Sequence, residues 1–505
     1  MNQLIIYSIS LLLLLPSFLM AKEVKMDFEN PAEHYKEASY VKGIQGKALD
    51  LSANASCRWG VKMSQIDSVD MARSFTVGIW IKAASSDLGY KPLITNKRSL
   101  DGKDRGFVVA SQENGSWMVA FTDGKNVQWD YRPTVARQPI NDGKWHFLAI
   151  AHNSGKDEMK MYYDGKNVAT YCTNGNTNLS SNYPFWIGNL TEGEWNSFNG
   201  ALDNFFFTDS VLSNQEIANQ YTALTGKNVY PKLPRKADEL KLMGFNIFHG
   251  GHELGQEVGV NRVIDVIKDS KAEVVGVIET YGSGAIIADA LGYYLYLRSS
   301  NLSIMSKYPI EETYDFFQPF NCSAATIRIS QTQKINYVNL WLHYLPNTDQ
   351  AILRERQPVE QIIADEWQTR AKEMQAILQD MKPLLQQTDV PLFVSGDFNI
   401  ASHLDWTEEA KDIHAGYAIE WPVSKLMADA GFIDTYRVVY PDPITHPCLT
   451  WSPMSKLDLQ YRIDFIYSKA KNLKIIDSKM IDYHRVRFPS DHAAMVTTFK
   501  FVDSK

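Results

Sequence analysis

Ser395-Gly396-Asp397-Phe398-Asn399-Ile400-Ala401-Ser402 follows the apolar run 390–394. The run has the length and composition of a short buried strand. A carboxylate and a carboxamide therefore leave one strand end two residues apart, in a loop that presents both to one small site. Hydrolysis of a phosphate ester uses such a pair, one group orienting water and the other holding an oxygen. Gly-Asp-x-Asn is also ordinary turn chemistry, so the reading depends on its company. Asn246, Glu279, His343, Asp464 and Asp491-His492 stand at the ends of apolar runs as well.

Around that stretch the second half of the chain alternates strand and helix signals. Residues 240–248 read as a strand that hands Asn246 to the turn His249-Gly250-Gly251-His252. Helical spacing over 260–268 is followed by a strand at 274–278 that ends at Glu279. Further strands are expected at 326–329, 335–342 (ending at His343), 463–467 and 493–501. Pro358 opens one long helix to about Gln387, with Ile362, Ile363, Trp367, Ala371, Met374 and Leu378 on one face. This order predicts an α/β layered domain over 240–505.

Residues 24–230 read as all-β. The segment 75–81 alternates as a half-buried strand does, and 147–151 less strictly. Asp-Gly and Asn-Gly pairs recur at 123–124, 142–143, 164–165 and 174–175, among others. Short strands punctuated by such turns predict a sandwich. Residues 231–239, with two prolines and mixed charge, have the composition of a linker.

The 505 residues allow two or three domains, and 45% hydrophobic, 12% aromatic and 22% charged residues describe an ordinary globular protein. The net charge of −7 gives no basic footprint for nucleic acid. A divalent cation can still draw an anionic substrate into an acidic cleft. The apolar run 4–19 and Met20-Ala21-Lys22-Glu23 are expected to be a secretory signal cleaved after Ala21, short for a membrane span. No Lys or Arg precedes the run, so an uncleaved anchor is the alternative. The expected location is secreted or periplasmic, without stable membrane insertion after cleavage. In an exported protein, one bridge per domain is expected, Cys57–Cys172 and Cys322–Cys448, although sequence leaves the pairing open.

Residues 240–505 resemble the endonuclease/exonuclease/phosphatase (DNase I-like) superfamily. The resemblance is carried by Phe245-Asn246-Ile247, Val277-Ile278-Glu279-Thr280, Leu342-His343-Tyr344-Leu345-Pro346, Gly396-Asp397-Phe398-Asn399, Arg462-Ile463-Asp464-Phe465-Ile466 and Ser490-Asp491-His492, in the family's order. It implies a four-layer α/β sandwich and phosphate-ester hydrolysis. Glu279 and Asp491 are hard oxygen donors suited to Mg2+ or Mn2+, with Asn246 adding a neutral oxygen. By resemblance, Asp397 orients or deprotonates water, Asn399 binds phosphate and His492 donates to a phosphoryl oxygen. Asp464 is then the partner of the other His492 nitrogen, unless it merely pairs with Arg462. His343 becomes a second acid near the leaving oxygen. His249, His252, Tyr344, Asn347, His403, Arg437 and His446 are substrate-binding candidates in nearby loops, and each is equally readable as surface or packing.

The first half resembles the laminin-G-like, concanavalin-type jelly roll. Gly46-Lys47-Ala48-Leu49, the strand 75–80, Gly143-Lys144-Trp145-His146, Tyr163-Asp164-Gly165-Lys166, Asn199-Gly200-Ala201-Leu202-Asp203 and the closing segment 212–217 carry that likeness. It implies a glycan or surface ligand. Alternatively Trp80, Trp145 and Asp203 only hold the sandwich together. The expectation is thus an exported metal-dependent phosphodiesterase, nuclease or phosphatase targeted by a jelly roll. Its rival is a non-catalytic binding protein with a hydrolase-like domain. Substrate class and oligomeric state are left open by the sequence.

Overall fold

The computed structural model describes residues 22–29, 38–52, 60–67, 69–84, 89–99, 104–125, 128–175, 178–190, 197–454 and 456–502. The apolar run 4–19, the expected cleavage after Ala21, and Cys57 lie outside them. Among the described residues, no helix is long and apolar enough to cross a membrane.

The first half is a two-sheet sandwich. Strand Phe75–Ala83 lies between His146–Asn153 and Gly200–Thr208. Phe75, Val77, Ile79 and Ile81 enter a core with Phe107, Val109, Val119 and Phe121 of the facing sheet. The outer face is buried too, which the alternating pattern did not predict. Helix Asn214–Thr225 roofs it, so that Trp80 stacks on Phe147 at 5.3 Å and on the helical Tyr221 at 5.4 Å. A reciprocal Ser213–Glu216 capping box starts that helix. Asp164 and Gly165, at φ 48° and 77°, form the tight turn joining Glu158–Tyr163 to Lys166–Cys172. A Cβ at Gly165 would lie 2.6 Å from Tyr221, so the turn also lets the helix close.

His152, fully buried in this core, donates from Nδ1 to the Arg73 carbonyl at 3.1 Å and leaves Nε2 unpartnered. Burial pushes its pKa from 6.5 down to about 4. Its contribution to stability is therefore present above pH 6.5 and lost as pH falls through about 4, with a slope approaching about 1.4 kcal/mol per pH unit. His146 runs the other way. Burial opposes its charge, but Asp164 and Asp142 outweigh it and raise the pKa, so its contribution fades as pH rises. Urea denaturation between pH 4 and 7 is expected to be flatter in His152→Leu than in the parent. Parallel curves would contradict this.

The second half has two facing sheets. One runs Tyr294–Leu297, Leu302–Ser306, Val274–Ile278, Glu239–Asn246, Ala494–Phe501, Leu473–Ile481. The other runs Ile310–Tyr314, Cys322–Arg328, Lys334–Trp341, Leu392–Asp397, Asp464–Lys469, Ile433–Asp434. Leu242, Val274, Ile304 and Phe499 meet Ile327, Ile335, Phe393 and Ile466 between them. Val263 and Ile267 of helix Gln256–Ser270 cover the outer side of the first sheet, and Met374 and Ile377 cover that of the second. The architecture is the expected four-layer sandwich.

A polar seam crosses the apolar interlayer. Tyr337 OH donates to the Met243 carbonyl at 2.8 Å, accepts from the Gly276 amide at 3.0 Å and meets Ser395 Oγ at 2.6 Å. Asn339 Nδ2 donates to the Val277 and Ser303 carbonyls. A Cβ at Gly276 would lie 2.4 Å from Asn339 Oδ1, so glycine there lets the sheets approach.

Two expectations need correcting. The long helix after Pro358 is three: Val359–Gln368, Arg370–Asp380 and Lys382–Leu385. At the Thr369 break the chain turns Arg370 inward to pair with buried Glu366 and to donate to the His343 and Pro346 carbonyls. Trp367 is accordingly 39% exposed. Secondly, Cys172, Cys322 and Cys448 are free thiols, so neither expected bridge forms. Cys322 packs on the helix-covered side of its sheet, whereas Cys448 lies in the interlayer core, and the sheet separates them. Residues 231–239, which have the composition of a linker, are hydrogen-bonded to the second domain. The Pro234 carbonyl accepts from the Gln331 amide at 2.9 Å, and the Ala237 amide donates to Gln333 Oε1 at 2.6 Å. Strand Lys166–Cys172 pairs in parallel with Tyr294–Leu297, making the jelly-roll sheet and the first sheet of the second half one fourteen-stranded sheet.

Candidate active site

The two sheets bring their polar strand ends together. Asn246 closes its strand opposite Ile278, and Glu279 follows Ile278 directly. In the other sheet Asp397 and Asp464 are direct cross-strand partners. The amide of Asn246 spans the gap, donating from Nδ2 to Glu279 Oε1 at 3.2 Å and to Asp397 Oδ2 at 3.1 Å. Its Oδ1 accepts from the Phe248 amide at 3.0 Å. His492 Nδ1 lies 3.0 Å from Asp464 Oδ2, and its Nε2 lies 3.8 Å from Asp397 Oδ2. The Ser490 hydroxyl donates to the Asn246 carbonyl at 2.7 Å and accepts from the His492 amide at 3.0 Å, joining the last motif to the first.

Asn246, Asp397, Asp464 and His492 are buried, and the site is charged. Burial opposes the charge on His492, but Asp464, Asp397 and Asp491 outweigh it and hold the imidazole protonated. Burial, reinforced by the Asp464 charge, raises the pKa of Asp397, while His492 and donors from Asn399 and Asn246 work against that rise. Burial and the neighbouring Glu279 charge raise Asp491.

Two groups of residues invite a cation. Ligand atoms of Asp397, Asp464 and His492 lie within 4.8 Å of one another. Both ring nitrogens of His492 face carboxylates here, so this group has the form of a proton relay. Glu279 and Asp491 fit better. Oδ1 of Asp491 is buried without a hydrogen-bond partner, and the two carboxylates bear on each other electrostatically. Asn246 Oδ1 keeps one lone pair beyond its bond to Phe248. An all-oxygen set of this kind suits a hard divalent ion.

Asn399 donates from its amide N–H to Asp397 Oδ1 at 2.9 Å and from Nδ2 to the Leu342 carbonyl at 2.8 Å. His343 stands outside the hydrogen-bonded cluster. Its Nδ1 accepts from the Leu345 amide at 3.0 Å, which puts the proton on Nε2, and its ring stacks on the exposed Tyr344 at 4.8 Å. His249 is beside the metal-suited carboxylates, its amide donating to Glu279 Oε2 at 2.8 Å and its Nδ1 facing Glu253 at 2.8 Å. His252 is exposed in the same turn.

The remaining candidates have partners of their own. Asn347 accepts from the Gln350 amide, His403 bonds Ser424, and His446 stacks on Tyr440 at 4.6 Å. Arg437 is a correction: it is buried, bonded to Asp405 and to the Tyr440 and His446 carbonyls, and does not offer its guanidinium to a substrate. Arg462 pairs with Asp405 and Asp434, leaving Asp464 to His492. Thr450 Oγ1 accepts from the Ile463 and Asp464 amides. Asn301 and Glu373 escaped the sequence reading. Asn301 Oδ1 accepts from the Glu279 amide, and Glu373 from the His343 amide. Each serves backbone groups across large sequence separations, so no local pattern marks it.

Two facing sheets thus gather these carboxylates around the His492 imidazole at their polar ends. Residues 243–492 match the model of the Endonuclease/Exonuclease/phosphatase family, and residues 60–218 match that of the Concanavalin A-like lectin/glucanases superfamily. The chain therefore carries an endonuclease/exonuclease/phosphatase domain behind a laminin-G-type jelly roll. It is 33% identical over 168 residues to F14F9.5, an uncharacterized protein of Caenorhabditis elegans, covering 28% of this chain and 52% of that protein. The chain thus spans about half the length of that curated relative. Among solved structures, TDP2 of D. rerio complexed with a single-strand DNA product is 16% identical, covering 52% of this chain and 100% of that one, with a TM-score of 0.38. An AP endonuclease from Archaeoglobus fulgidus is 17% identical, covering 51% and 98%, with a TM-score of 0.39. The human Nocturnin catalytic domain with bound sulfate is 14% identical, covering 53% and 97%, with a TM-score of 0.36.

Proposed function

We propose that the chain is a divalent-metal-dependent hydrolase of phosphate esters, in which water attacks phosphorus without a covalent enzyme intermediate. One observation carries the reading: Asn246 ties Glu279 of one sheet to Asp397 of the other, 3.8 Å from the His492 imidazole. Glu279 and Asp491, with the spare Asn246 lone pair, would hold Mg2+ or Mn2+, which when bound neutralises charge and polarises a phosphoryl oxygen. Asp397, its carboxylate oriented by Asn246 and Asn399, aligns the attacking water and takes its proton. His492, kept cationic by Asp464, donates from Nε2 to a non-bridging oxygen as charge builds there. Asn399 adds its remaining amide hydrogen, and His343, protonated at Nε2, is the candidate acid at the leaving oxygen. The apolar run 4–19 and Ala21 support export.

The jelly-roll residues have structural partners. Trp80 stacks in the outer core, and Asp203 accepts from the Ile44 and Asn204 amides. A glycan or surface ligand for this domain therefore rests on its family likeness.

The test is release of p-nitrophenol from bis- and mono-p-nitrophenyl phosphate, alongside plasmid DNA. Hydrolysis of at least one is expected, abolished by chelator and restored by Mg2+ or Mn2+. Glu279→Gln is expected to raise the metal concentration needed by about 10–100-fold. Chelator-insensitive hydrolysis would overturn the metal assignment, and no hydrolysis of any ester would favour the binding protein.

A further inference from the structure

We infer that the jelly roll is a working part of the active site, because its sheet positions the backbone that presents Glu279. This rests on the reading of Glu279 as a metal ligand. Strand Lys166–Cys172 of the jelly roll pairs Ala169, Thr170 and Tyr171 with Leu295, Tyr296 and Leu297. Without that partner Tyr294–Leu297 would be an open sheet edge. The strand leads straight into residues 298–301, which hold the Glu279 loop. Asn301 Oδ1 accepts from the Glu279 amide at 3.1 Å, the Asn301 carbonyl from the Thr280 amide at 3.0 Å, and the Ser300 carbonyl from the Tyr281 amide at 2.8 Å. Three consecutive amides thus hang on a segment whose register the jelly roll sets. Glu279 needs such support, since its φ of 58° lies in the left-handed region that side chains rarely adopt.

Two further ties join the domains beside this segment. Arg298, only 2% exposed, sets Nη1 2.9 Å from Cys172 Sγ of the jelly roll and donates from Nε to the Cys322 carbonyl at 3.3 Å. On the other side of the loop, helix Gly284–Leu291 carries buried Asp289. Its carboxylate accepts from Thr134 Oγ1 at 2.5 Å and Gln138 Nε2 at 2.9 Å, both jelly-roll residues. Residues 279–301 are therefore pinned to the jelly roll at the helix and again at the strand. A module tethered only for targeting would need neither the shared strand pair nor the buried polar contacts. Arg298, Asp289 and Asn301 are accordingly positioning residues for Glu279.

The test uses the full chain and alters the jelly-roll side, where no substituted atom can touch a metal. The variants are Thr134→Val with Gln138→Leu, Thr134→Val alone, and the hydroxyl-retaining Thr134→Ser. Hydrogen exchange of the Glu279, Thr280 and Tyr281 amides is followed without metal, and Mn2+ affinity by calorimetry. The double variant is expected to exchange these amides about ten-fold faster and to bind Mn2+ about ten-fold more weakly, with turnover at saturating Mn2+ retained. Thr134→Val should lie between, and Thr134→Ser near the parent. Unchanged exchange and affinity in the folded double variant would overturn the inference. If the parent itself binds no Mn2+, the assignment of Glu279 as a ligand fails, while the exchange comparison still decides whether the jelly roll holds its loop.

Discussion

Asp397→Asn is expected to lower turnover of phosphate esters by about 10²–10⁴-fold while the protein stays folded. The substitution preserves shape and removes only the carboxylate's charge and one acceptor. An oxygen at Oδ1 still accepts from the Asn399 amide, but the group at Oδ2 becomes an NH2 facing the Asn246 NH2 at 3.1 Å. Two donors then confront each other where a carboxylate linked the sheets, and water loses its base. His492 also loses one of the anions that keep it charged. Asp464→Asn acts on the same imidazole from its other side and is expected to be the milder change, because Asp397 survives it. The decisive measurement is single-turnover hydrolysis beside a circular-dichroism melt of each variant. A folded Asp397→Asn enzyme with parental turnover would remove Asp397 from the chemistry.

Arg462→Met is expected to cost about 3–5 kcal/mol of stability, the price of breaking a buried ion pair from one side. Arg462 is 1% exposed and bonded to Asp405 and Asp434, and Arg437 shares Asp405. Two guanidinium groups balance two carboxylates in a dry space. Removing Arg462 leaves both carboxylates with the Arg437 guanidinium, which bonds Asp405 but not Asp434, and Asp434 keeps the neutral Tyr436 and Arg437 amides. For a domain of this size the loss corresponds to a fall of roughly 6–20 °C in melting temperature. Arg462 begins the stretch that carries Asp464, so residual activity should fall before global unfolding. Asp405→Asn in the Arg462→Met background should recover part of the stability by restoring the charge balance. A melt indistinguishable from the parent would show that the network is not a structural clamp.

Much of the second domain was legible because its strands are continuous apolar runs. The run 274–278 coincides with strand Val274–Ile278, and the polar residue after such a run must emerge at the sheet end. The first domain was less transparent where a second partner intervened. Strand Phe75–Ala83 looks half-buried in sequence but is covered by a helix almost 140 residues later in the chain. The helix after Pro358 misled for a related reason. Helical periodicity ran through Thr369, whereas the bond demands of Arg370 broke the chain there. Arg437 was misjudged because a charged residue beside a loop looks available until its buried Asp405 is seen.

By itself the sequence determined the two domain types, the strand ends and the residues that stand on them. All of these follow from periodicity and turn chemistry within a few residues of chain. Only the tertiary structure decided which of those residues meet. Asn246 and Asp397, Asp464 and His492, and Glu279 and its Asn301 support are joined by contacts across the fold. The same holds for the shared strand pair that makes two modules one sheet. Such contacts depend on how closely two sheets approach, here through Gly276 and the Tyr337–Ser395 seam, and no local pattern encodes that spacing.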